Sequence, residues 1–383
     1  MKRSVDRILT THAGSLPRPD DLWQMLVAKR DGEPYDPAAF EKRVQSAVQD
    51  AVQQQIACGI DVVNDGELRK PNFLVYARER LSGFTQRAIE ATSNPSLIYG
   101  RDQVDFPEYF EARQKTLRGR HVIQYVCHEP LKYVGHDAVQ KDIGNLQAAI
   151  ADSSVTEAFL PSVAPGTIEH WLKNEHYADD EAFVYAIAEA MREEYSAIVE
   201  AGFVLQIDDP DLADGWQIQS EMSLADYRRF AEIRIDALNH ALRGLPPERI
   251  RFHMCWGSYH GPHKYDLPLE HIVDIILRVQ AEVFSLEASN PRHEHEWRLW
   301  ENVKLPKGAA LIPGVVTHVS DVVEHPELVA QRLVRYANLV GRENVIAGTD
   351  CGLGMRVGHP KIVWAKLEAL AEGARLATQE LWR

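Results

Sequence analysis

Eight short apolar, β-branched runs recur along the chain, at 7–15, 61–67, 156–163, 203–208, 250–256, 283–288, 310–317 and 345–351, separated by longer stretches with helical amphipathic spacing. Runs of this length, apolar on both faces, suit strands of a parallel sheet covered by helices. Polar or reactive residues stand at or just past the C-terminal end of six of them: Glu67, Asp208, Cys255, Glu287, His318 and Cys351. A (β/α)8 barrel builds its active site from the loops at that one face, whereas an open doubly wound sheet gathers polar groups at a single switch point. The pattern therefore predicts an α/β chain folded as a (β/α)8 TIM barrel.

At 383 residues the chain has the length of one large barrel. No linker, low-complexity stretch or repeat divides it, so 1–383 reads as a single domain. One segment, about 94–154, lacks a clean βα repeat and is rich in charged and aromatic residues such as Tyr109, Phe110, Tyr125 and Tyr133. It is expected to be an insertion after the second βα unit, lying over the barrel mouth. The net charge of −14 comes without a dense basic patch, which argues against nucleic acid and for small-molecule partners. The lack of a long uncharged apolar run predicts no membrane span and a cytoplasmic protein. Four cysteines in so long a chain do not make a disulfide framework; each is an apolar filler or a ligand.

His253 and Cys255 lie two apart on a predicted strand, so their side chains leave the same face and can share a metal. On that spacing alone, two buried core residues are the commoner outcome. Two further residues favour a metal. Glu287 is an acid closing an otherwise apolar strand, and Cys351 lies in a Gly-Thr-Asp-Cys-Gly turn rather than an apolar run. Barrel closure would bring all four to one mouth. Two thiolates, an imidazole and a carboxylate suit tetrahedral zinc, and a displaceable carboxylate leaves room for an incoming sulfur. A substrate thiol held there would lose its proton and stay nucleophilic.

Taken in order, these stretches resemble the catalytic C-terminal half of cobalamin-independent methionine synthase. The resemblance rests on His253-Met254-Cys255, Glu287 and Asp350-Cys351-Gly352-Leu353, with Gly14-Ser15-Leu16-Pro17, Asp65-Gly66-Glu67, Leu81-Ser82-Gly83-Phe84, Gln206-Ile207-Asp208 and Pro313-Gly314-Val315-Val316-Thr317-His318 around them. It implies zinc bound by His253, Cys255, Glu287 and Cys351, and methyl transfer to homocysteine in methionine biosynthesis. It also implies that Gly14 and Ser15 receive the homocysteine carboxylate, that Glu67 and Asp208 bind its ammonium, and that His318 delivers a proton to the leaving group. Each has a plainer alternative: Glu67 and Asp208 paired with Arg69 or another base, and His318 hydrogen-bonded to Asp321. Asp209 and Asp350 are read as orienting neighbours or turn caps.

The chain departs from that family in three places. The full-length synthase has a second barrel-like half that helps bind the methylfolate tail, and this chain is expected to lack it. Leu68-Arg69-Lys70-Pro71-Asn72 and Leu160-Pro161-Ser162-Val163-Ala164-Pro165 replace stretches of the folate platform, which leaves the methyl donor open. After the ligand pair comes an extra loop with His260 and His263, read as pocket lining or surface rather than a second metal site; His12 is read as thiol-pocket lining or a satisfied strand-end histidine. Two other functions stay in view: thiol addition to an epoxide, as in epoxyalkane:coenzyme M transferase, and a non-catalytic zinc- or thiol-binding protein. A pocket with two free carboxylates favours an amino-acid thiol over a sulfonate.

Overall fold

The computed structural model of the protein describes residues 1–90, 100–117, 121–257 and 260–383. Among them run eleven strands: β1 (Leu9–Thr10), β2 (Val62–Val63), β3 (Leu81–Glu90), β4 (His121–Tyr133), β5 (Glu157–Val163), β6 (Leu172–Asn174), β7 (Val204–Asp208), β8 (Ile250–Met254), β9 (Val283–Glu287), β10 (Ala310–Val316) and β11 (Ile346–Thr349). Eight of these form one sheet in the order β1-β11-β10-β9-β8-β7-β5-β2, every neighbouring pair parallel. Its two ends meet: Asp61 N donates to Thr10 O at 3.1 Å, and Thr11 Oγ1 donates to Val62 O at 3.0 Å. The sheet is thus a closed (β/α)8 barrel, with one strand inside each of the eight apolar runs.

Alternation along the strands splits the core in two. Outward residues such as Phe252, Met254, Phe284 and Leu286 join the large cluster between sheet and helices. Inward residues form small clusters inside the barrel: Leu9, Val283, Ala310, Ile312 and Ile346 in one, Val62, Phe159 and Val204 in another. Strands β7 to β10 are buried on both faces throughout, which is why they read as continuous apolar runs. Outer helices start on side-chain caps, Asp36 for Pro37–Ala57, Asp179 for Asp180–Glu200 and Ser223 for Leu224–Leu242. No helix of the described residues is long and apolar enough to cross a membrane.

The segment between β2 and β5 is composite. Its last part, the helix His136–Ile150, buries Val139, Ile143 and Leu146 and packs as an outer barrel helix between Pro37–Ala57 and Asp180–Glu200. The chain outside the barrel begins earlier than 94, at the helix Phe73–Arg80, and continues through the antiparallel pair β3/β4, to which β6 adds in parallel. Residues 94–99 and 118–120 of the expected insertion lie outside the described residues. The helices at Arg101–Val104 and Pro107–Leu117 seat this segment on the loop after β8: Asp102 Oδ1 accepts from Tyr265 N at 2.9 Å, Asp105 Oδ2 accepts from Tyr265 Oη at 2.8 Å, and Tyr109 Oη donates to His260 O. It therefore covers the barrel mouth.

The insertion is riveted to the barrel by two buried acids, Asp142, which binds Arg80 at 2.6 Å, and Glu194. Glu194 accepts from Tyr76 Oη and Tyr133 Oη, both at 2.6 Å, and from Ser162 Oγ at 2.8 Å, beside Arg80 at 3.4 Å. Burial alone would raise the Glu194 pKa, but Arg80 and the two phenols hold it below the usual value. Glu194→Ala leaves Arg80 and two phenols buried with fewer partners and should cost about 3–5 kcal/mol of unfolding free energy, read by chemical denaturation. A loss under about 1 kcal/mol, in the range of exposed pairs, would contradict this account of the joint.

Candidate metal centre and thiol pocket

Strand β8 turns Arg251, His253 and Cys255 inward, and β9 does the same for Ser285 and Glu287. The turn after β11 supplies Cys351. It comes close because Gly314 on β10 has no side chain: a Cβ there would stand 2.4 Å from Asp350 Cα. Asp350 locks this turn to the end of β9, its Oδ1 accepting from Ala288 N and Ser289 N at 2.7 and 2.9 Å and its Oδ2 from Ser289 Oγ at 2.8 Å.

The sequence-predicted ligands fall into two adjacent groups. His253, Cys255 and Cys351 bring one ligand atom each within 4.8 Å of one another, and so do Glu287, His318 and Asp350. The two sulfurs are 3.5 Å apart. His253 Nδ1 meets Ser285 Oγ at 3.1 Å, which fixes the ring, while its Nε2 is buried without a partner. Burial, with Arg251 and His318 nearby, lowers the His253 pKa to about 3, so the imidazole is neutral. The Cys255 thiol is pushed well above its usual pKa by its hydrogen bond with Cys351 and by burial. A cation between the sulfurs reverses that penalty. Zinc with Zn–S of about 2.3 Å sets its tetrahedral sulfurs about 3.8 Å apart. Both the orphaned imidazole nitrogen and the paired thiols therefore fit such an ion. Glu287 is held differently: Oε1 accepts from Trp256 N at 3.1 Å and Oε2 from Asn290 Nδ2 at 2.9 Å, so its carboxylate faces the second group.

Of the residues expected to bind the thiol's amino-acid end, Ser15, Glu67 and Asp208 line one cavity with the cysteines, whereas Gly14 does not and its N–H is bonded to His12 Nδ1. The cavity has a volume of about 550 Å³, and Ser15, Glu67, Asp208, His253, Cys255 and Cys351 are all in its wall. Ser15 Oγ is buried without a partner. Its carbonyl accepts from Leu353 N and Gly354 N, both at 3.0 Å, which ties the first loop to the cysteine turn. Gly14, at φ +133°, leaves the space that the Glu67 carboxylate occupies, for a Cβ there would stand 2.5 Å from Oε1. Glu67 itself is left-handed, φ 57°, a strained backbone for a non-glycine residue at a site. Burial raises its pKa to about 7, and burial together with Glu67 raises that of Asp208. Asp208 Oδ2 has no partner. Arg69 does not reach this pair; it binds Glu41 and stands 3.6 Å from Asp142, whereas the charges of Lys70 and Arg18 act on Glu67 and those of Lys70 and Arg251 on Asp208.

Four histidines are resolved by their partners. His318 is buried with neither ring nitrogen bonded, and Asp321 accepts from Gly358 N instead. His12 is a satisfied strand-end residue, Nε2 on Gln55 Oε1 at 2.8 Å and Nδ1 accepting from Gly14 N at 3.2 Å. His263 is bound to Asp266 at 2.8 Å, and His260 lines the cavity; among the described residues neither belongs to a metal-type cluster. Sequence reasoning passed over Arg251, Ser285 and Asn290, which orient the site. The signal for Arg251 and Ser285 was inward parity with His253 on β8 and Glu287 on β9; Asn290, in the loop past β9, carried none.

Fold and site together define a (β/α)8 barrel that gathers two cysteines and a histidine, able to hold a metal ion, and an acid-lined pocket at the C-terminal ends of its strands. Residues 137–375 match the family model described as cobalamin-independent synthase, catalytic domain, and the chain belongs to that family. It is 24% identical to a methionine synthase of Sulfolobus acidocaldarius over 100% of this chain and 95% of the relative, and 23% identical to that of Thermococcus kodakarensis over 98% and 94%. Among solved structures, a B12-independent methionine synthase from Shewanella sp. W3-18-1 in complex with selenomethionine superposes with a TM-score of 0.72 at 20% identity, covering 98% of this chain and 99% of that one.

Proposed function

We propose that the protein is a zinc-dependent methyltransferase whose acceptor is the sulfur of an amino-acid thiol such as homocysteine. The observation that carries this reading is the convergence on one cavity of His253, Cys255 and Cys351 with Ser15, Glu67 and Asp208. The names borne by relatives of matching length support the reaction class. His253, Cys255 and Cys351 would hold zinc, with Glu287 beside them as a displaceable fourth group; bound zinc lowers the pKa of a thiol that joins it. Ser15 receives the substrate carboxylate through its free hydroxyl and backbone. Glu67 and Asp208 take the ammonium, the cation that lets two buried carboxylates share one pocket.

Methyl transfer forms the new S–C bond as the bond from carbon to the leaving group breaks, and the leaving group departs with that electron pair. His318 is suited to supply its proton. Burial lowers the pKa of the ring, and neither nitrogen is tied to another group of the fold, which leaves the ring able to hold and pass a proton. The donor is read as one that needs no polyglutamate platform, and the setting as the cytoplasm, where the four free cysteines stay reduced.

Calorimetric titration of the zinc-loaded protein tests the acceptor. Homocysteine should bind at least about tenfold more tightly than coenzyme M, because a sulfonate without an amine brings no ammonium to Glu67 and to Asp208 Oδ2. Near pH 7, ammonium binding should also expel the proton that Glu67 holds at its raised pKa of about 7, so homocysteine affinity should rise with pH through that region. Equal affinities, or a preference for coenzyme M, would favour the epoxide reaction and contradict this one.

A further inference from the structure

Inside the barrel, below the cavity, lies a guanidinium that bonds only neutral acceptors. Arg251 is fully buried and faces inward from β8, with its guanidinium 3.4 Å from the centre of the Phe159 ring. Its Nη1 donates to Thr11 Oγ1 at 2.9 Å, Nη2 to His12 O at 2.7 Å and Nε to Gln206 Oε1 at 2.6 Å. A buried arginine is costly unless its donors are all used for something.

The third bond leads to the site. Gln206, two residues before Asp208 on β7, faces inward with it. Arginine has donors only, so it engages the amide oxygen of Gln206 and leaves Nε2 turned away. That nitrogen donates to Ala13 O at 2.6 Å and to Asp208 Oδ1 at 2.7 Å. All the hydrogen-bonding groups of the amide are thereby fixed, and Asp208 is left with one oxygen satisfied and Oδ2 buried, unpartnered and in the cavity wall. The same guanidinium grips residues 11 and 12, just before the Gly14–Ser15 loop, whose Ala13 carbonyl shares the Gln206 amide nitrogen with Asp208. One side chain thus ties the loop that carries Ser15 to the carboxylate of Asp208.

We propose that Arg251, acting through Gln206, is a positioning residue for amino-acid recognition: it holds Asp208 so that Oδ2 alone is offered to the ammonium of the thiol substrate. The inference rests on the reading of Asp208 as the ammonium acceptor.

The test is the ratio of dissociation constants for homocysteine and 4-mercaptobutanoate, the same thiol acid without the amine. It is measured by calorimetry on zinc-loaded protein whose metal content has been verified. Arg251→Met should reduce the preference for homocysteine by about tenfold, as for loss of one orienting hydrogen bond, and Arg251→Lys should recover most of it. In an Asp208→Asn background the Arg251→Met effect on the ratio should vanish, which a merely structural role would not produce. If Arg251→Met does not fold, Gln206→Met carries the same expectation. Equal weakening of both thiols, or a ratio within about twofold of the wild type while Asp208→Asn loses it, overturns the inference and leaves the ammonium reading standing. A ratio unchanged by Asp208→Asn overturns that reading, and this one with it.

Discussion

Cys351→Ser should release the metal and abolish methyl transfer together, with a loss of metal affinity beyond the 10–100-fold that removing a ligand's supporting partner typically costs (roughly). The serine is isosteric, and the turn that carries it is fixed independently. Asp350 keeps its bonds to Ala288 and Ser289, and Leu353 and Gly354 keep theirs to Ser15. The fold should therefore survive, which separates a ligand from a core residue. Removing the thiol leaves Cys255 and His253 with only the displaceable Glu287 beside them, and a hydroxyl does not ionise there as a thiol does. Metal content after dialysis and turnover measured on the same samples decide it. A variant that is free of zinc and active would contradict the reading outright. A metal-free variant with a large drop in thermal stability would show that the ion also braces the mouth, where Cys255 and Cys351, just past the ends of β8 and β11, approach each other.

His318→Asn should lower kcat by about 10²–10⁴-fold, the usual range for a positioned proton donor, with the homocysteine dissociation constant unchanged. The expectation rests on two facts. His318 is 1% exposed and has no partner for either ring nitrogen, an arrangement that costs stability unless it serves something. It also stands beside Glu287, whose charge raises the ring pKa against the burial that lowers it. Asparagine keeps a hydrogen-bonding group there but cannot pass a proton between two nitrogens. Equal losses in thiol binding and kcat would instead make His318 part of the acceptor pocket.

The barrel was legible because each strand is a run buried on both faces, and because polar residues at run ends mark one rim of it. Parity did the rest on β8, where His253 and Cys255 face inward together. Other features carried little trace. The helix His136–Ile150 is amphipathic and belongs to the barrel, yet it adjoins a charged, aromatic stretch that hid its role, so the insertion reads too late at its start and too far at its end. Arg251 at the centre of a strand looks like an interruption of the core; only the neutral acceptors gathered from β1 and β7 explain it. The placement of Glu287 is a matter of which backbone amide and side chain reach it first, Trp256 N and Asn290, and no spacing encodes that. His12 was ambiguous for the same reason, since its partner Gln55 comes from a helix forty-three residues on.

The most direct measurement is the visible spectrum of the cobalt-loaded protein during titration with homocysteine. If the substrate sulfur joins the metal held by His253, Cys255 and Cys351, added homocysteine should produce a new thiolate-to-cobalt charge-transfer absorption. It should saturate at one thiol per metal, and 4-mercaptobutanoate should produce the same band at higher concentration. Homocysteine that binds by calorimetry yet leaves the cobalt spectrum unchanged would contradict the central claim.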